Sequence, residues 1–413
     1  MSGATQFDST QFSAFFKNRY PQRKIDSLVK FGKPTLSAIK QSDELVGTTT
    51  YVPVQVDDPQ GISSNLGAAR TNVTGTVGRA WQITPAALYG ALTIDARTML
   101  GSRNTEGAFF KAREREFEGI VEQMGQHNEM NLWNDGTGSI GIVDGDPGTG
   151  TTVQLATISD AINFHEGMRL LFYDSVSGAP DGSARAAAEI VSGVNYDTGV
   201  LTFTAAVDTA ILDTDHIVRE GNVDAMFKGI PAWIPAADPT TTFLGVDRTA
   251  YPQKLGGHRQ SWIGTIEETV KRLDASIRRV NQKSKTLWLS YANFNRLDLE
   301  LGARGYRMED GGKGTFGRMS LGMSTPGGGV EVKAAPYLND DAGYLLDMDT
   351  WKLCTLGALP HLVQDDGLAA TRLNPTAAVG GADNNGDGIE IRLRQFAQLL
   401  CTNPFSNGRI AIT

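Results

Sequence analysis

Three groups of residues have the types that do chemistry, and their spacing decides what each can do. Gly136, Gly138 and Gly141 satisfy G-x-G-x-x-G. That pattern serves a dinucleotide when a strand, a tight turn and a helix N-terminus aim backbone amides at the pyrophosphate. Here it follows a helical pattern instead of a strand, so the match is chance. Asp383, Asn385, Asp387 and Gly388 copy the first half of a calcium loop, but the twelfth position, where a bidentate Glu closes such a site, is Arg394. A polar turn ahead of a strand explains the run better. The five histidines, His127, His165, His216, His258 and His361, never fall at paired ligand spacing on a helix. Cys354 and Cys401 are too few for a disulfide framework or a four-sulfur zinc site. No G-x-S-x-G elbow and no G-K-[ST] phosphate loop occurs. The expectation is therefore a protein that is not an enzyme, with no catalytic, cofactor-binding or metal-ligating residue and no cofactor.

The chain has 413 residues, 40% hydrophobic and 20% charged, with 47 glycines. That length exceeds one ordinary core and predicts two or three domains. The glycine content points to turns and extended segments more than to a helical bundle. No apolar run approaches the roughly 18 residues that span a bilayer, and the first residues (MSGATQFDSTQFSAFF) lack the basic leader and apolar core of a signal peptide. The net charge of −8 is unevenly spread. Residues 15–40 hold seven Lys/Arg against Asp26, a net of +6, while residues 140–224 carry a net of −10. One end can approach a polyanion and the middle repels it.

Elements that could position such groups follow in order. Residues 1–46 read as a polar, basic arm with Phe7, Phe12, Phe15 and Phe16 as anchors. Residues 48–56 (TTTYVPVQV) alternate as a strand, and 79–94 can return as a second extended segment, with Gly61 to Gly78 as a flexible tip. A lone two-stranded ribbon is marginally stable in water and its open edges invite another chain, so the ribbon is expected to lie on a neighbouring copy. A surface helix follows over 104–133, its stripe carried by Phe110, Phe117, Val121 and Met124. Residues 150–224 read as a compact β module, a small barrel or sandwich, with strands near 151–158, 168–173, 186–194, 199–204 and 216–219. It begins and ends near glycine loops, as an insertion into another domain would. Thr265 and Glu268 form a capping box ahead of a buried stripe, Ile266, Val270, Leu273, Ile277 and Val280. A strand at 286–289 and a short helix to Gly302 follow. Residues 302–329, with ten glycines and Arg304, Arg307, Lys313 and Arg318, suit either phosphate or a contact loop in an assembly, and loop statistics favour contact. Hairpin-like strands over 330–356 and a strand from Ile389 to Leu400 close the chain.

Taken with GRMSLGM (317–323), KAAPYLNDDAGYLLDMDTWKLCTLGALPH (333–361) and EIRLRQFAQLLCTNPFSNGRIAI (390–412), this order of arm, ribbon, long helix and late mixed domain resembles the major capsid proteins of tailed double-stranded-DNA bacteriophages, the Hong Kong 97 phage-like family. The resemblance covers nearly the whole chain except the β module. It implies an α+β capsid fold with a small all-β insertion domain: an N-terminal arm (1–46), an E-loop ribbon (47–101), the spine helix of a P-domain (102–139), the insertion (140–224), a P-domain linker (225–257), an A-domain (258–380) and C-terminal P-domain strands (381–413). It implies self-assembly into hexamers and pentamers of an icosahedral head that encloses double-stranded DNA, made in the host bacterial cytoplasm and carried in the virion. Expected partners are further copies of the chain, a separate scaffolding protein, a portal, a cement or decoration protein and, by non-specific contact, the packaged DNA; no membrane is involved.

Trp81, Tyr89, Phe110, Phe117 and Met124 are the subunit-interface candidates, with core burial as the even-odds alternative for the two ribbon aromatics. Lys17, Arg19, Arg23, Lys24, Lys30 and Lys33 are the genome-facing candidates. Some family members lock the shell by an isopeptide bond from an E-loop lysine. No lysine occurs between Lys40 and Lys111, so this ribbon is expected to interlock without covalent bonds. The competing readings are a tail adhesion or carbohydrate-binding protein, on the strength of the acidic β module, and a hydrolase with a β-rich accessory module.

Overall fold

The computed structural model describes residues 32–95, 108–175, 180–302, 321–357, 359–362, 371–372 and 388–413. The chain forms two compact units. One holds Met1–Ser37, Ala86–Glu129 and Thr355–Ala397; the other holds Ala38–Pro85, Met130–Cys354 and Gln398–Thr413.

The first helix, α1 (Pro34–Ala38), begins with proline, whose fixed φ suits the first helical position. Leu36, Ile39 and Leu45 are buried, so the last part of the stretch read as a free arm is core. Strand β1 (Lys40–Ser42) pairs parallel with β19 (Trp351–Thr355). Strands β2 (Thr50–Asp57) and β3 (Val77–Ile83) form an antiparallel ribbon, with Val52 opposite Trp81 and a bulge between Gln55 and Asp57. Its tip is not merely flexible: α2 (Leu66–Thr71) stands there, capped by Asn65, whose side chain accepts the Gly67 amide at 2.7 Å. The return segment is also shorter than expected. It stops at Ile83, and β4 (Ala86–Asp95) belongs to the other unit, where it pairs antiparallel with β22 (Gly388–Cys401).

Helix α3 (Ala108–Leu132) has 25 residues, about 37 Å at the usual rise. Phe117, Val121 and Met124 are buried along its stripe. Gly90 on β4 lets the helix close in, since a Cβ there would stand 2.9 Å from the Met124 sulfur and 3.4 Å from Ile120. Asn128 sits where the stripe predicts an apolar residue, and it exchanges two side-chain hydrogen bonds with Gln395 of β22 at 2.9 and 2.8 Å. Short strands β20 (His361–Leu362) and β21 (Thr371–Arg372) pair along the opposite edge of β22.

After α3 the other unit resumes with a sheet that closes on itself. Its strands are β5 (Ser139–Ile142), β6 (Thr152–Gln154), β7 (Arg169–Ser175), β8 (Pro180–Asp181), β9 (Glu189–Asn195), β10 (Val200–Phe203) and β11 (His216–Arg219). The order is β5-β11-β7-β9-β10-β6, with β8 on β7. A bridge between Val143 and Leu155 joins the two ends, and closure removes the open edges. A 3-10 turn, Ile158–Asn163, replaces the end of the expected 151–158 strand. The barrel encloses its own core, including Phe164, Phe172, Leu201 and Ile217.

The later part of this unit is a mixed six-stranded sheet, β14-β23-β18-β15-β17-β16. Its strands are β14 (His258–Gln260), β15 (Thr286–Leu289), β16 (Leu321–Thr325), β17 (Gly328–Ala334), β18 (Ala342–Leu346) and β23 (Gly408–Ala411); the hairpin β12 (Thr242–Phe243) and β13 (Val246–Asp247) precedes it. Helix α6, here following the short helices α4 (Ile230–Trp233) and α5 (Pro252–Gly256), spans Ile266–Arg279 and is followed by α7 (Tyr291–Gly302). Thr265 accepts the Glu268 amide at the start of α6, as its capping signature predicts. Ile266, Val270, Leu273 and Ile277 are wholly buried against Leu287, Leu289 and Leu345 of the sheet. Two sequence expectations change here. Residues 321–329 are hairpin, so the glycine-rich loop is shorter than drawn. The stretch 381–413 feeds two sheets, because β22 pairs with β4 whereas β23 lies between β14 and β18.

Candidate functional site

The feature with no counterpart in an ordinary compact core is the ribbon β2–β3. Alternation along β2 puts Tyr51, Pro53 and Gln55 outward and exposed, with Val52, Val54 and Val56 on the other side. The tip is apolar and bare: Ile62, Leu66 and Val73 are 90%, 69% and 67% exposed. Large apolar side chains so exposed are the kind of surface that another protein can cover.

The root of the ribbon is held by its own chain. Trp81 is fully buried and meets Trp233 edge-on at 5.0 Å and Phe243 at 6.2 Å. Arg248 lies 4.2 Å over the Phe243 ring and donates to the Ala232 and Trp233 carbonyls at 3.1 and 3.3 Å. Burial lowers that guanidinium to about 10, which leaves it charged at neutral pH. The Gln82 amide donates to the Leu244 carbonyl at 2.8 Å. Gln82 packs over Gly245, whose φ of +78° and lack of a Cβ admit it. Lys254 reaches Asp57 at 3.1 Å. Trp81 is therefore a pin and not a surface contact, which overturns its place among the interface candidates. The expectation that the whole ribbon depends on a neighbour narrows to the tip.

The other candidates divide in the same way. Phe117 and Met124 are buried within the single chain, so they are not available to a second subunit. Tyr89 lies on β4, outside the ribbon; it is 68% exposed and stands edge-on to Phe396 at 6.2 Å. Phe110 falls in α3, and its side chain lies outside the described residues. Lys17, Arg19, Arg23, Lys24 and Lys30 also lie outside them. Lys33 is corrected: it is 4% exposed, with Glu122 and Glu129 acting on it, and burial pulls its pKa down against those two carboxylates. A buried lysine does not face a genome.

Sequence reasoning missed Glu129. It is fully buried on α3, and its two carboxylate oxygens accept the Thr35 and Leu36 amides at 2.9 and 2.7 Å. It thereby satisfies two of the free donors at the start of α1. Desolvation raises its pKa, opposed by the hydrogen bonds from Thr35 and Leu36 and by Lys33. A glutamate beside the buried stripe of α3 was the available signal.

One pair of side chains has the types of a nucleophile and its base. Ser139 and the Nδ1 of His216 are 2.8 Å apart, but His216 is 4% exposed and its Nε2 is buried without a hydrogen-bond partner. A nucleophile–base pair needs a third group orienting the base and room for substrate; this one is a barrel-core hydrogen bond. Burial pushes the Cys354 and Cys401 thiols up to about 11 and about 12, the wrong direction for reactive cysteines. No metal-ligating cluster occurs among the described residues, and no helix among them is long and apolar enough to cross a membrane. Gly136 and Gly138 have φ of +87° and +89°, and a Cβ on Gly138 would fall 2.2 Å from the Asn222 carbonyl; they shape the entry to the barrel.

No protein-family profile matches the chain, and no curated protein matches it. Solved structures do. The cyanophage A-1(L) capsid asymmetric unit aligns over 92% of this chain and 92% of its own, at 11% identity and a TM-score of 0.51. A Mycobacterium phage Adephagia chain aligns over 99% of both at 10% identity, and the capsid of a native GTA particle over 92% and 91% at 10%. Their TM-scores of 0.42 and 0.43 are too low to carry an argument alone. At such identities the likeness speaks for fold, and the fold of this chain is that of a phage capsid protein.

Proposed function

We propose that the chain is the major shell subunit of a phage head, a structural protein whose copies form hexamers and pentamers around double-stranded DNA. The observation that carries this reading is an alignment to a phage capsid subunit that leaves out little of either chain. The ribbon supports it independently. An internally pinned projection with an apolar tip suits an element that reaches a neighbouring subunit and docks there. In this reading the ribbon is the E-loop, α3 the spine helix of the P-domain, the mixed sheet the A-domain, and the closed barrel a domain inserted at 140–224. The basic segment before Lys33 faces the packaged genome. The acidic barrel faces outward, since like charge keeps it from DNA. A separate scaffolding protein, a portal and a decoration protein remain the proposed partners, with assembly in the host cytoplasm.

Electron microscopy of the purified, concentrated protein tests this. Capsomers or closed particles are expected. A chain that stays monomeric at every concentration, in the presence of crowding agents and of its co-expressed neighbouring gene products, would overturn the reading.

A further inference from the structure

In the unit that contains Ala86–Glu129 and Thr355–Ala397, the sheet β4–β22–β20 has one face covered and one bare. On the covered side, Gly90 admits Met124 of α3, Ile391 and Leu393 are buried, and Gln395 is bonded to Asn128 of the same helix. Alternation turns the residues between these to the other side. Three register pairs make up that second face: Ala87 opposite Phe396, Tyr89 opposite Arg394, and Ala91 opposite Arg392. On the far edge of β22, His361 stands opposite Arg394, so Tyr89, Arg394 and His361 form one row across three strands.

Tyr89 is 68% exposed, Ala91, Arg392 and His361 are exposed, and Arg394 and Phe396 are half-buried. The rings of Tyr89 and Phe396 meet edge-on at 6.2 Å, which props one against the other beside the arginines. Arg392 and Arg394 lie two residues apart on one strand, about 7 Å along it. Among the described side chains of this face none is acidic. Two like charges on one small face favour an anion as their ligand. Aromatic rings interleaved with guanidinium groups on a flat sheet suit bases and phosphates together. A stable protein interface takes about 800 Å² and roughly 20 residues on each side. Six side chains in three register pairs fall short of that, yet they are enough for about two or three nucleotides.

We propose that this face binds single-stranded nucleic acid without sequence preference: Arg392 and Arg394 hold successive phosphates, His361 supplies a further donor at the edge, and a base stacks on Tyr89. A duplex is the poorer ligand, because its bases are already paired and stacked and leave Tyr89 uncovered. The basic stretch 15–40 differs in this respect, since charge alone meets the phosphates of either form. The contact belongs to the single subunit and does not depend on the shell reading.

Photocrosslinking of the full, unassembled chain to a single-stranded oligonucleotide carrying 5-iodouracil, with the linked peptides identified by mass spectrometry, tests the proposal. A link at Tyr89 is expected. At subsaturating oligonucleotide its yield should fall at least about sevenfold between about 50 and 200 mM salt, as two phosphate contacts on a single strand require. Annealing the oligonucleotide to its complement should remove most of the Tyr89 link while links to residues 15–40 persist. Arg392→Gln combined with Arg394→Gln should lower the Tyr89 link about fivefold or more relative to the links at 15–40. Arg392→Gln alone, at the exposed position, carries the same test if the double variant does not fold. Links confined to 15–40, a Tyr89 link indifferent to the arginine substitutions, or an equal Tyr89 link from the duplex would each overturn the proposal. So would a wild-type chain with no Tyr89 link whose self-association in sedimentation is abolished by Tyr89→Asp, because the face then belongs to a second copy.

Discussion

Glu129 shows how one buried side chain sets a local equilibrium. Its carboxylate is the acceptor for two amides of α1, so Glu129→Ala strands two donors and is expected to cost about 2–4 kcal/mol in chemical denaturation. Glu129→Gln keeps one acceptor oxygen and is expected to cost less. The sign of the pH effect follows from desolvation raising the folded-state pKa. This group's contribution is fully present below the ordinary carboxylate range and is lost as pH rises through the raised value. Stability curves of wild type and Glu129→Gln should therefore converge as pH rises and separate toward acid. Glycines give a second residue-scale contrast. Gly138 and Gly145 both have φ in the left-handed region, but a Cβ on Gly138 collides with backbone while one on Gly145 meets nothing within 4 Å. Gly145→Ala is expected to cost about 1 kcal/mol. Gly138→Ala is expected to cost more than about 3 kcal/mol, because the Asn222 carbonyl must move.

At the scale of elements, the ribbon divides into a root that its own subunit stabilises and a tip that it does not. Trp81→Ala empties a site lined by Trp233 and Phe243 and is expected to cost about 3–5 kcal/mol. Thermal unfolding checks the loss, and faster exchange of β2 and β3 amides locates it. Lys254→Ala, at an exposed pair, should leave the midpoint nearly unchanged. What the sequence disclosed follows the same division. Elements with a strong period were legible: the stripe of α3, the capped α6, the alternation of β2 and of the long β22. Those signals arise from burial of one face, which the residues themselves record. The partners of each face were not legible. Trp81 and Phe243 stand far apart in sequence, and nothing local says that an aromatic in a projecting strand finds its cover there. Lys33 carried the charge of a solvated arm, and only the fold shows the glutamates that draw it inside. The barrel was recognisable as β-rich from its turns, but its sheet depends on β5 pairing with β11 and β6 with β10, strands from opposite ends of the module, which is a non-local fact.

For the whole molecule, the separation of root from tip makes assembly testable apart from folding. Ile62, Leu66 and Val73 are bare in the subunit, so charging them costs the isolated chain little. A shell that buries them must desolvate that charge without a partner. Leu66→Asp is expected to leave the thermal midpoint of the subunit within about 1 °C, and to slow or abolish particle formation in light scattering and electron microscopy. Trp81→Ala should instead lower both stability and assembly, since it frees the root. The bond type is open to the same preparation. With no lysine from residue 41 to residue 110, the ribbon has no amine to donate to a neighbour. Assembled particles boiled in detergent should run as a single monomer band, whatever the age of the shell. In the proposed shell, a lattice held without covalent bonds would place the burden on repeated modest contacts, which multivalency makes strong only when many engage at once. A tip substitution that weakens each contact by a little over 1 kcal/mol, about tenfold, should therefore shift the critical concentration of assembly by far more than tenfold. Titrating subunit concentration across the Leu66→Ala and Leu66→Asp variants measures that amplification. A shift no larger than that of a single contact would mean the tip lies outside the lattice.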